Sequence, residues 1–223
     1  MTLEQLIARF RIEADDLVPN PYLWQRDWLA MWFSEAQDEA AVRARLLLDD
    51  FTESVTQIEV TADVDAYKLH PKVYEIVRLG FKPAGDERTT GIDLVTRERL
   101  DRDYSDWRTR PAGDVRWAMQ TDTRLRLGPV PSRDGVLHME VYRLPLKPLV
   151  NDGDKPEIHE AHHHQLVQWV LYRAFSRPDA DTHDPGRAEK AYAEFERYFG
   201  RSPDADLRRS TRHDLPQVNV SYF

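Results

Sequence analysis

His159, Glu160 and His163 stand in the order H-E-x-x-H within PEIHEAHHHQLVQWVLYRAF, Pro156 to Phe175. On an α-helix, histidines at i and i+4 share one face and can hold zinc, while the glutamate between them acts on the metal-bound water. A third ligand must come from elsewhere, and His138, His183 and several acids are available. The same residues also have a structural reading. The stripe that starts at His163 continues through Val167, Val170 and Ala174, an apolar face at helical spacing. His159 falls at or near the helix start, just after Pro156, and three fixed residues arise readily by chance among four histidines. The stripe favours a core helix whose first turn carries the histidines. No catalytic residue and no metal ligand is assigned, and a zinc-dependent hydrolase using His159, Glu160 and His163 is the alternative.

Other chemistry is poorly represented. There is no G-x-S-x-G elbow, no G-x-x-x-x-G-K loop and no G-x-G-x-x-G turn. The chain has no cysteine, which removes thiolate nucleophiles, disulfides and thiolate zinc sites. Acid pairs such as Asp15–Asp16 and Asp101–Asp103 read as solvated or capping groups. Trp24, Trp28 and Trp32 recur every four residues, as a core stripe or, if exposed, as an interface.

These residues need elements to position them. With 223 residues, 41% hydrophobic and 31% charged, the chain is long enough to bury a core as one large domain or two small ones. A net charge of −8 makes it a poor non-specific DNA binder, although Leu207 to His213 is locally basic. The N-terminus lacks the pattern of a signal peptide and no apolar run reaches membrane-spanning length, so a soluble chain of cytosolic origin is expected.

Helical spacing of Leu3, Leu6, Ile7 and Phe10 predicts a first helix capped by Thr2, broken by VPNPY. A long helix from about Gln25 to Leu48 follows, with Leu29, Trp32, Phe33, Ala36, Ala40 and Leu47 on its apolar face and Glu35, Asp38, Glu39, Arg43 and Arg45 opposite. Period-two patterns then predict strands over Val55–Thr61 and Ala66–Leu69, joined by a turn, and over Val73–Phe81 and Thr90–Val95. A short helix capped by Thr96 precedes three more strands, VRWAMQ, TRLRLGP and VLHMEVYRLP, with Asp134-Gly135 as a hairpin signal before the last. The final helix runs from Asp184 as cap and Pro185 at its first position to Gly200, burying Ala188, Tyr192, Phe195 and Phe199.

The expected fold class is α+β: a helical core from N- and C-terminal helix pairs (1–50 and 150–200), an antiparallel β-rich insert (51–149) and an extended C-terminal tail (201–223). The end of that tail, QVNVSYF, alternates like a strand without a local partner.

Four segments in this order resemble the head-to-tail adaptor, or connector, proteins of tailed bacteriophages. They are LWQRDWLAMWFSEAQDEAAVRARLLLDD, VTADVDAYKLHPKVYEIVRL, LRLGPVPSRDGVLHMEVYRLPLKPL, and the long run from Pro156 to Gly200 with its two helices. In look-alikes the opening stretch tends to read Ile-Pro-Glu-x-x-His, so His159 would replace a helix-starting proline and a metal site would not be a family trait. The resemblance implies a structural virion protein, not an enzyme, without a cofactor. It implies a dodecameric ring that docks on the portal, extends the DNA channel and meets tail or nozzle proteins. Genomic DNA would pass without sequence-specific binding, no membrane would be involved, and assembly would occur in the host cytoplasm. Under that reading Leu215, Val218, Val220, Tyr222 and Phe223 anchor the tail on the portal or a neighbour. Arg208, Arg209 and Arg212 supply charge there or face DNA, and Trp28 and Trp32 pack the core or the ring interface. A third reading makes the basic tail a DNA-binding module.

Overall fold

The computed structural model describes residues 1–19, 21–104, 106–178 and 182–203. Among them the chain folds into two compact units, one built from Met1–Leu47 and Arg143–Ser202 and the other from Leu48–Tyr142. Helices and sheets are both present in quantity, so the fold class is α+β, as the sequence predicts.

In the first unit, α1 spans Leu3–Ala14. Thr2 accepts from the Gln5 amide and the Gln5 side chain accepts from the Thr2 amide, a reciprocal capping box that fixes the helix start. Helix α2 spans Arg26–Ala44, shorter than expected. Arg45 adopts a left-handed conformation (φ 50°) and its amide donates to Ala41, so the chain leaves the helix before Leu47. Near the other end of the chain come a 3-10 helix (Glu160–Gln165), α5 (Leu166–Phe175) and α6 (Pro185–Phe199); the intervening α3 (Glu53–Thr56) and α4 (Arg97–Asp103) belong to the second unit.

Phe10, Phe33 and Phe195 are fully buried where these helices meet, with Leu3, Leu6, Leu29 and Leu166. Burying each such side chain stabilises the fold by about 1.5–3 kcal/mol relative to leaving it in water. The stripe of Val167, Val170 and Ala174 lies wholly inside this core, while Tyr192 is only half-buried. Arg43, assigned to a polar face, instead points its guanidinium over Trp169, Tyr192 and Phe195 at 5.2–5.4 Å. It also donates to Glu39 and to the carbonyl of Gly200, which ties the end of α2 to the end of α6. Gln37 is buried too, because its amide donates to Lys147 O and accepts from Glu157 N.

The second unit contains two sheets. Its elements are β1 (Leu48–Asp49), α3 (Glu53–Thr56), β2 (Gln57–Val60), β3 (Ala66–Lys68), β4 (Val73–Pro83), β5 (Thr90–Gly91), β6 (Asp93–Leu94), α4 (Arg97–Asp103), β7 (Trp117–Gln120), β8 (Arg124–Gly128) and β9 (Gly135–Arg143). One sheet has the order β1-β9-β4-β5, with β2 also on β9; the other has the order β3-β8-β7-β6. Alternate residues of β9, Leu137, Met139 and Val141, share a core with Ile76, Leu79 and Phe81 of β4 and with Ala118, Leu125 and Leu127 of the other sheet. Gln120 reaches β4 from β7. Its amide accepts from Ile76 N at 3.0 Å and donates to Tyr74 O at 3.2 Å.

Several expectations change here. Val55 and Thr56 belong to a helical turn, and β2 and β3 join different sheets instead of pairing. Thr90–Val95 is two short strands, and the second, β6, runs parallel to β7, so the insert is mixed and not wholly antiparallel. Asp134-Gly135 is no hairpin turn, because it lies between β8 of one sheet and β9 of the other. Gly135 sits opposite Val60, where a Cβ would lie 2.5 Å from Lys82 O and 2.6 Å from the Phe81 ring. Glycine is needed there for close approach and not for a positive φ. Thr96 caps α4 as expected, accepting from the Arg99 amide.

Candidate interaction surfaces

The histidine segment is a 3-10 helix over Glu160–Gln165, so the i, i+4 alignment of an α-helical zinc motif is not formed. His159 is the N-cap, its ring accepting from the Ala161 amide at 3.2 Å. His163 is 1% exposed and both its ring nitrogens are engaged. Nε2 donates to Ile158 O at 2.8 Å, and Nδ1 accepts from the Met1 ammonium, also at 2.8 Å. Those partners fix the neutral tautomer with hydrogen on Nε2. Burial depresses the His163 pKa, and the adjacent ammonium acts in the same direction. Binding a metal would require His163 to give up one of these bonds. His162 turns outward, its Nδ1 3.1 Å from the Tyr198 hydroxyl. Its pKa is also depressed, by burial first and by His159 and His164 next.

The three tryptophans take different positions. Trp24 precedes α2 and is buried, edge-on to Phe10 and Phe175 at 5.5 Å each. Trp32 is buried in the helical core. Trp28 is half-buried, with its ring tilted towards Trp32 and the Arg177 guanidinium 3.9 Å above it. The three indoles therefore do not form one exposed stripe. The tail residues Arg208, Arg209, Arg212, Leu215, Val218, Val220, Tyr222 and Phe223 lie outside the described residues.

VPNPY, Val18 to Tyr22, reads in the sequence as a helix break, yet large apolar side chains on and around it are exposed. Ile12, Leu17, Val18 and Leu23 are each more than half exposed. A polar clamp closes the connection in the same stretch. Asp16, 3% exposed, pairs with Arg11 and accepts from Leu23 N at 3.0 Å, closing the connection between α1 and α2. Arg11 also donates to Trp24 O at 3.3 Å and lies 3.6 Å over the Tyr22 ring. The signal available in the sequence was a proline-containing linker with an unusual share of large apolar residues.

Two compact units of unlike secondary structure, with apolar side chains exposed on one of them, describe a protein organised around contacts. The family comparison agrees: the model for the SU10 adaptor protein matches residues 1–218, and the chain belongs to this family of phage head-to-tail adaptors. The family is structural and its members are virion components. Comparison with curated proteins gives no match. Among the described residues, no helix is long and apolar enough to cross a membrane.

Proposed function

We propose that the chain is the subunit of a dodecameric head-to-tail adaptor ring. The ring docks on the portal, extends the DNA channel and receives tail or nozzle proteins on its far side. Family membership over residues 1–218 carries this reading. In it, residues 1–50 and 150–200 form the helical domain, 51–149 the inserted β-rich domain and 201–223 a tail that reaches a partner. The two domains offer unlike surfaces to neighbours, which suits a subunit that touches several partners in a head-to-tail ring.

Leu215, Val218, Val220, Tyr222 and Phe223 anchor the tail on the portal by strand addition or by filling a groove, and Arg208, Arg209 and Arg212 complement acidic groups there. The net charge of −8 suits a channel through which DNA slides, because a basic lumen would retain it. The subunits assemble in the host cytoplasm, without a membrane step.

The test is capture of purified portal rings by the full chain and by a full-length variant carrying Val218→Asp, Val220→Asp and Tyr222→Asp. The wild type retains portal and the variant loses most of it. Equal retention by both would remove the tail from the portal contact.

A further inference from the structure

We infer that the two outer faces of the β-rich unit bind each other from copy to copy, the cationic face of one subunit against the carboxylate-lined groove of the next. This rests on the ring reading and names the surfaces that close the ring.

The first observation is a row of cations. Tyr67 and Leu69 beside β8, and Leu125 and Leu127 on β8, pack into the core that the two sheets share. Lys68, Arg124 and Arg126 alternate with them and so project from the outer face of the second sheet. Leu127 N donates to Asp65 O and Leu69 N donates to Thr123 O. Lys68 and Arg124 are therefore opposite one another as a non-hydrogen-bonded pair, the closer of the two antiparallel kinds. Both are exposed, and among the described residues neither is ion-paired. Like charges set directly opposite destabilise a sheet, and a carboxylate between them relieves the repulsion. The row continues through Arg126 and Arg108, which lie over the Trp107 ring at 5.2 and 4.1 Å. Those two already hold carboxylates, Asp65 and Asp101, so Lys68 and Arg124 carry the unneutralised charge.

The second observation is a complementary groove on the first sheet. Strand β9 buries Leu137, Met139 and Val141 and turns Val136 and His138 outward. Glu59 of β2 lies opposite Val136, and with Lys82, Asp86 and Asp134 these residues line a groove of about 620 Å³. Asp86 pairs with Arg133 at 3.4 Å and Asp134 accepts from Ala62 N. Glu59 is exposed and, among the described residues, has no cation. Half-buried Val136 offers an apolar bed for the stems of long cationic side chains.

The third observation is direction. The two sheets share one core, so the cation row and the groove lie on opposite sides of the same unit. One subunit cannot bring its own two surfaces together, and two copies cannot exchange both contacts about a two-fold axis. Each copy instead offers one surface to the copy before it and the other to the copy after, the head-to-tail contact that generates a ring when its rotation closes. Nucleic acid fits the row less well. A phosphate backbone draws on more cations than two, and Trp107 is 6% exposed and closed to base stacking.

Because the chain has no cysteine, the full-length double variant Glu59→Cys with Arg124→Cys reads the contact directly. Its two positions are on different sheets, packed about 10 Å apart, whereas a disulfide needs Cα atoms within about 7 Å, so any link joins two copies. Loaded on portal rings from the same phage and oxidised, the variant should give a ladder of linked subunits, and either cysteine alone should give none. Bound subunits without a ladder would overturn the assignment. Charge reversal supplies a second readout. Lys68→Glu with Arg124→Glu should raise the chain concentration that half-fills the portal by at least about tenfold. Adding Glu59→Lys with Asp86→Lys to that chain should restore most of the loss, because both faces are then reversed. Unchanged loading in the first variant, or no recovery in the second, would also overturn the pairing. Failure of the wild type to load at all would remove the ring reading and this pairing with it, whereas wild-type loading without a ladder removes the pairing alone.

Discussion

Arg11 and Asp16 form an ion pair whose side chains are 12% and 2% exposed, one on the last turn of α1 and the other just beyond it. Neither charge is left with the pair alone. Asp16 also accepts from Leu23 N, and Arg11 also donates to Trp24 O and stacks on Tyr22. A buried carboxylate and a largely buried guanidinium thus brace the connection into α2.

Replacing Asp16 with Ala would leave the Arg11 charge uncompensated and the Leu23 amide without its acceptor. Breaking a buried pair in this way costs about 3 kcal/mol. Urea unfolding should show a lowered midpoint with an unchanged slope. A midpoint within error of the wild type would mean that the pair does not hold the loop.

Gly135→Ala tests why that glycine is present. A Cβ there meets Lys82 O at 2.5 Å and the Phe81 ring at 2.6 Å, so the two strands must separate or the ring must turn. Overpacking of this kind costs about 1–3 kcal/mol. Thermal unfolding should show the loss, and an unchanged transition would contradict the close approach.

His163 links stability to pH. Burial holds its folded pKa below the ordinary value of 6.5, so below that value the unfolded chain binds a proton that the folded chain does not. The sign follows: this contribution is fully present above about pH 6.5 and is lost as pH falls towards the depressed folded pKa, with a slope of at most about 1.4 kcal/mol per pH unit. His163→Gln should unfold at a lower midpoint at pH 7 but show a shallower decline between pH 7 and 5. Parallel declines in the two proteins would mean that His163 is not the titrating group.

The helices were legible in the sequence because their signals are local. Thr2, Asp184 with Pro185, and Gly200 mark ends through backbone geometry that nearby residues decide, and Val167, Val170 and Ala174 repeat at the helical period. The sheet order was less legible because it depends on which distant strand supplies the partner. Asp134-Gly135 carries the composition of a turn, yet Gly135 pairs with Val60 in another part of the chain. The histidine segment was readable as the start of a core helix, but the tight 3-10 turn and the two partners of His163 are tertiary facts. That Ile12, Leu17, Val18 and Leu23 stay exposed is decided by how the connection packs, which residue spacing does not encode.

The most direct test of the adaptor assignment is the mass of the complex formed when the purified full-length chain is mixed with portal rings from the same phage, measured by sedimentation. The account predicts a stable particle carrying one adaptor per portal subunit, with the free chain sedimenting as a single subunit. Portal rings that sediment unchanged in the presence of excess chain would contradict it.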